Sequence, residues 1–143
     1  MRGEAAKVKK ARKRIRDFAK WAFRKEGLRP IPVWISYKWA TVVCGGEVGF
    51  GVFCYDYAAE SEDVAEPGTQ RIYAAGKLFK TDEMLRIVAH EIVHYKQLEE
   101  RGNLDFAEVE DEAEEQGRIL VERYKQEVRK GEISSERSDG ADV

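Results

Sequence analysis

His90-Glu91-Ile92-Val93-His94 sets both histidines of a 143-residue chain four positions apart, with a carboxylate directly after the first. On an α-helix, such a pair is offset by about 40° and one turn. Two imidazoles placed this way can aim ring nitrogens at a single point about 2.0–2.1 Å from each, the bond length that zinc requires. Glu91 is turned about 100° from His90. It is therefore not the natural third ligand, but it can reach a water beside the ion. Two ligands and one proton acceptor are the mechanics of the H-E-x-x-H motif. The plainer alternative is two histidines with ordinary hydrogen bonds. Against it, Met84, Leu85, Ile87, Val88, Ala89, Ile92, Val93 and Leu98 surround the motif, so the helix is expected to be buried on several sides. Three buried polar groups without partners would each cost several kcal/mol, roughly, and one ion satisfies them together.

A zinc site that keeps a position open for water takes three protein ligands. There is no third histidine, and Cys44 and Cys54 lie far away in sequence, so the remaining ligand is expected to be an acid. Segment 105–120 holds seven. Read as a helix, it carries Phe106, Val109, Ala113, Gly117, Leu120, Val121 and Tyr124 on one face. Glu110 falls about 45° from the centre of that face, Glu112 about 115° and Glu108 about 155°. Asp111 and Glu115 point to solvent. Asp105-x-x-Glu108 has capping-box spacing at the helix start. The expected metal ligands are His90, His94 and Glu110, with Glu91 as general base.

"HEIVHYKQ" followed by "EDEAEEQG" resembles the gluzincin metallopeptidases, whose second helix carries a Glu-x-x-Ala-Asp-like signature. Among these, the short chains called minigluzincins look closest in their order of elements. The resemblance implies a zincin-like minimal fold, a Zn²⁺ cofactor, and hydrolysis of peptide bonds in a peptide or unfolded protein. It also implies that Glu114, four residues after the ligand, holds His90 through its other ring nitrogen; the family has Asp at this position. The strand "RIYAAG", with Tyr73, Ala74, Ala75 and the small Gly76, is expected to be the edge along which substrate aligns. Tyr73 and Tyr95 are candidate oxyanion stabilisers by their proximity in sequence. A terminal segment lying in the cleft holds some minigluzincins latent, which gives residues 131–143 a potential inhibitory role.

The elements that must position these residues read as follows. Val8, Ala11, Ile15, Phe18, Ala19, Ala22 and Phe23 recur at helical spacing, predicting an amphipathic helix over 4–26 that stops at Gly27. Apolar and β-branched runs at 31–37, 40–44, 50–57 and 70–76 predict three or four strands in a small mixed sheet. "GGEVG" is the expected hairpin between the second and third runs, which would set Cys44 and Cys54 across from each other. In an ordinary cytosol they would be reduced core residues. The scarcity of Asn and Gln beside abundant Glu, Lys and Arg fits a hot environment, where a disulfide is the alternative. Residues 58–69 read as an acidic loop ending in a Pro-Gly turn. The metal helix is predicted from Thr81, as N-cap, to Arg101, and the last helix from after Asp105 to about Lys130. The fold class is α+β, with residues 1–130 as one domain and 131–143 as a mobile tail.

No apolar run approaches the roughly 18 residues of a membrane span, and the charged N-terminus lacks a secretory segment, so the expected location is the cytoplasm. Residues 1–30 carry twelve Lys/Arg against three acids, and residues 99–143 fifteen acids against seven bases. These read as two solvated helix faces of opposite sign, with a nucleic-acid arm as the rival reading for the basic one. A non-catalytic zinc domain is the other rival, but a structural site would close its fourth position with a protein ligand.

Overall fold

The computed structural model describes residues 2–58 and 61–131. Three helices and seven short strands follow in the order α1 (Arg2–Lys25), β1 (Val33–Ser36), β2 (Val42–Cys44), β3 (Glu47–Gly49), β4 (Gly51–Cys54), β5 (Tyr57–Ala58), β6 (Ser61–Ala65), β7 (Arg71–Ala75), α2 (Thr81–Arg101) and α3 (Val109–Arg129). The fold is α+β. Residues 132–143, which include most of the expected tail, lie outside the described residues, and no described helix is long and apolar enough to cross a membrane.

α1 turns one apolar stripe inward, burying Ile15, Phe18, Ala22 and Phe23. It ends where Gly27 takes φ 68° and the Leu28 amide donates back to the Phe23 carbonyl at 2.8 Å, a left-handed stop that a Cβ would resist. The main sheet has the order β1-β7-β4, with β1 parallel and β4 antiparallel to the central β7. Ile72 and Ala74 of β7, Val33 and Ile35 of β1, and Phe53 of β4 join the helices in one core. From the helices come Met84, Leu85, Val88 and Ile92 of α2, and Leu120, Val121 and Tyr124 of α3.

Four expectations about the elements need correction. The hairpin joins β2 to β3 through Gly45 and Gly46 at φ 60° and 85°; two positive-φ residues suit a tight two-residue turn that matches strand twist. β4 leaves that hairpin and pairs with β7 instead. The expected acidic loop contains a second ribbon, β5 with β6. Its residues lack the apolar alternation by which a half-buried strand is recognised. Thr81 is the first residue of α2 rather than its cap; the Lys80 amide donates to Glu83 Oε1 at 2.8 Å. α3 starts at Val109, later than expected, so the Asp105–Glu108 box does not form. The Asp105 amide instead takes Asn103 Oδ1 at 2.9 Å. Phe106 accordingly sits before the helix, under the Arg101 guanidinium.

Cys44 and Cys54 are disulfide-bonded with Cα atoms 6.4 Å apart, tying the β2–β3 hairpin to the end of β4. Closing a loop of this length removes unfolded-state entropy worth about 3 kcal/mol. A Cys44→Ser/Cys54→Ser variant is therefore expected to lose about 2–3 kcal/mol of unfolding free energy in urea melts. Equal midpoints for the oxidised parent and the variant would show that the bond does not brace the hairpin.

Candidate metal centre

α2 and α3 approach closely because Gly117 faces the metal helix. A Cβ there would stand 3.1 Å from the His90 amide nitrogen and 3.3 Å from its Cα. Ala113, Gly117, Leu120 and Tyr124 line the buried side of α3, and this seam carries the first turn of α3 over the two histidines. His90 Nε2 and His94 Nε2 lie 3.1 Å apart. Glu110 Oε1 is 2.7 Å from His94 Nε2, and Oε2 is 3.4 Å from His90 Nε2. The ligand-type atoms of these three residues all fall within 4.8 Å of one another, so the group can hold a metal ion. Glu110 itself is two-thirds exposed. It comes from the open end of the seam rather than from the core.

The protons on the two rings follow from the partners of the other nitrogens. Gln97 donates through Nε2 to the Val109 carbonyl at 3.1 Å and to Glu112 Oε1 at 3.0 Å. Its Oε1 is then the acceptor that lies 2.8 Å from His94 Nδ1. That bond places the His94 proton on Nδ1 and leaves Nε2 bare. Glu114 Oε2, 3.2 Å from His90 Nδ1, does the same for His90, while its Oε1 accepts from Arg86 Nη2 at 2.6 Å. Burial pushes Glu114 up, but Arg86 and His90 outweigh it and hold the carboxyl below its usual range. Two bare imidazole nitrogens and a carboxylate thus converge on one point, a donor set that fits a divalent cation.

Gln97 escaped the sequence reading although it is almost fully buried. Its spacing three residues after His94 was the available signal, since i and i+3 share a helix face. Replacing it with Leu is expected to free the His94 ring and to weaken zinc binding by about 10- to 100-fold. Competition against a chromogenic chelator measures this, and an unchanged affinity would assign Gln97 to packing alone.

Glu91 is buried beside the cluster, and its Oε1 accepts the Phe53 amide of β4 at 2.9 Å. Burial pushes its carboxyl up to about 7, against the lowering pull of His94 and of that amide. A carboxylate with proton affinity near neutrality suits a general base.

The expected edge strand is corrected. β7 carries Tyr73, Ala74 and Ala75 but is the middle strand, paired on both sides, so it has no free backbone to offer. The strand beside the site is β4, an edge. The Ala75 amide reaches the Phe50 carbonyl across the ladder, whereas the Phe53 amide turns outward to Glu91. By alternation, Gly51 and Phe53 present their remaining backbone groups outward. Gly51 also lets β4 lie on α2: a Cβ there would meet Ile87 Cγ2 at 2.7 Å and Glu91 Cγ at 3.1 Å.

Both tyrosines proposed as oxyanion stabilisers are placed elsewhere. The Tyr95 hydroxyl donates to the Arg29 carbonyl at 2.8 Å, and its ring packs against Phe23 and Phe53. Tyr73 stacks on the half-exposed Trp34 and accepts from Arg71 Nε. It occupies the sheet face opposite Ile72 and Ala74, which enter the helix-packed core.

No protein-family model, no curated protein and no solved structure matches the chain.

Proposed function

We propose that the protein is a zinc-dependent metallopeptidase that cleaves internal peptide bonds of peptides or unfolded proteins. The observation that carries this reading is the pairing of the three-ligand cluster with a buried carboxylate, Glu91, which is bonded to an edge strand. Storage or structural sites have no use for a proton acceptor at that point, whereas hydrolysis requires one. The likeness of "HEIVHYKQ" and "EDEAEEQG" to the gluzincins supports the same reading.

His90, His94 and Glu110 would hold the ion. The chemistry a zinc ion supplies when bound is Lewis acidity toward water and a peptide carbonyl. Glu91 takes the proton of the attacking water and passes it to the leaving amine. Gln97 and Glu114 keep the imidazole protons on Nδ1, so both Nε2 atoms stay available. β4 aligns the substrate by pairing the Gly51 amide and carbonyl and the Phe53 carbonyl with an extended backbone, the Phe53 amide being held by Glu91.

Cavities flank that strand at both ends. One of about 400 Å³ is walled by Phe50, Phe79, Ile87, His90 and Glu91; it suits a large apolar side chain next to the scissile bond. The other, about 680 Å³, lies by Phe53, Cys54, Tyr55 and Leu104. An extended chain on β4 therefore continues in both directions, which favours internal over terminal cleavage. Chelation is expected to abolish cleavage of a carboxymethylated protein substrate, and one equivalent of zinc to restore it. Cleavage that persists in the zinc-free protein would end the proposal.

A further inference from the structure

We propose that the exposed basic row of α1 (Lys9, Lys13, Arg16, Lys20 and Arg24) docks the phosphodiester backbone of nucleic acid, independently of the metal centre. α1 holds eleven Lys/Arg against two acids, but number alone decides little, since most charged faces are merely solvated. What matters is how the fold distributes them. With Lys9 at zero, the five positions fall within an arc of about 80° and follow one another at steps of three or four residues, about 4.5–6 Å of rise. The row runs about 22 Å along the helix, and all five residues are exposed. Consecutive charges are thus separated by a distance of the same order as consecutive phosphates on one strand.

The packing of α1 narrows the partner. Three basic residues off the row are already engaged: Arg12 Nε donates to the Ile35 carbonyl, Arg14 meets Asp82 and Lys25 meets Glu127. Within the row, Lys13 shares Asp17 at 2.9 Å. Among the described residues, Lys9, Arg16, Lys20 and Arg24 meet no carboxylate. The acidic C-terminal half therefore does not neutralise the row. A membrane is the poorer fit, because an interfacial helix must sink an apolar face into lipid, and the apolar face of α1 is committed to the core through Ile15, Phe18, Ala22 and Phe23. A row of charges spaced along the phosphates of one strand contacts the backbone, which carries no sequence information, so the binding is without sequence preference.

The test is fluorescence anisotropy of a labelled 20-base-pair DNA duplex titrated with the full chain. The expected dissociation constant at physiological salt lies in the range of about 10⁻⁴–10⁻⁶ M, and the slope of log K against log salt is about −4 for the four phosphates that Lys9, Arg16, Lys20 and Arg24 neutralise. Combining Lys9→Glu, Arg16→Glu, Lys20→Glu and Arg24→Glu is expected to weaken binding at least 100-fold. Conversion of Lys9 and Lys20 to Arg is expected to keep it. Circular dichroism melts verify that the reversed variant is folded, and its zinc-dependent peptide cleavage should be unchanged, so this result is separable from failure of the peptidase reading. Several outcomes would each overturn the proposal: no anisotropy change with the parent protein, affinity insensitive to salt or to the charge reversal, displacement of DNA by poly-glutamate as readily as by unlabelled DNA, or binding to phosphatidylserine vesicles in place of DNA.

Discussion

Glu91→Gln is expected to bind zinc as the parent does and to cleave an unfolded protein about a thousandfold more slowly. The substitution is nearly isosteric. An amide oxygen can still accept the Phe53 amide, now 2.9 Å from Glu91 Oε1, and the side chain still fills the space against Gly51. His90, His94, Glu110 and their partners Glu114 and Gln97 are untouched. What disappears is the capacity to take a proton from water, so the loss should fall on turnover rather than on metal content. Zinc stoichiometry and initial cleavage rates, measured on the same samples, separate the two. Near-parental cleavage would remove Glu91 from the chemistry. Loss of zinc together with activity would make it a structural group.

Glu110→Gln is expected to do the opposite, weakening zinc binding by at least about tenfold, with cleavage recovered only at raised zinc. Glu110 Oε1 lies 2.7 Å from His94 Nε2, yet the side chain is two-thirds exposed. Its replacement should therefore cost the fold little while withdrawing an anionic donor from the ion. Because binding to the native state raises stability with ligand concentration, the parent should show a zinc-dependent rise in melting temperature that the variant shows only at higher zinc. Glu115→Gln on the same helix serves as control, since its partner is Arg118. Identical zinc dependence in Glu110→Gln and the parent would mean that the third ligand has been misassigned.

The two histidines and Glu110 were legible in the chain because helical spacing is a local property. The angle between residues 90 and 94, or between 110 and the apolar face of its helix, follows from 100° per residue. The same holds for the stop at Gly27, which needs only a positive φ. Gln97 was in principle readable by that rule but lacked a chemical label, since amide side chains seldom mark a site by themselves.

Long-range pairing was not legible. Which strand is an edge depends on partners tens of residues away: β7 looked open until β1 and β4 took both of its sides. Tyr73 and Tyr95 are near the motif in sequence, but the sheet turns one away and Arg29 claims the other.

What the sequence determined by itself is a pair of imidazoles one turn apart and an acid on the matching side of a second rod, because backbone geometry repeats within each helix. Only the tertiary structure decided that the rods meet at Gly117 and that β4 borders the cluster. Those facts rest on contacts between segments far apart in the chain, and local periodicity carries no record of them.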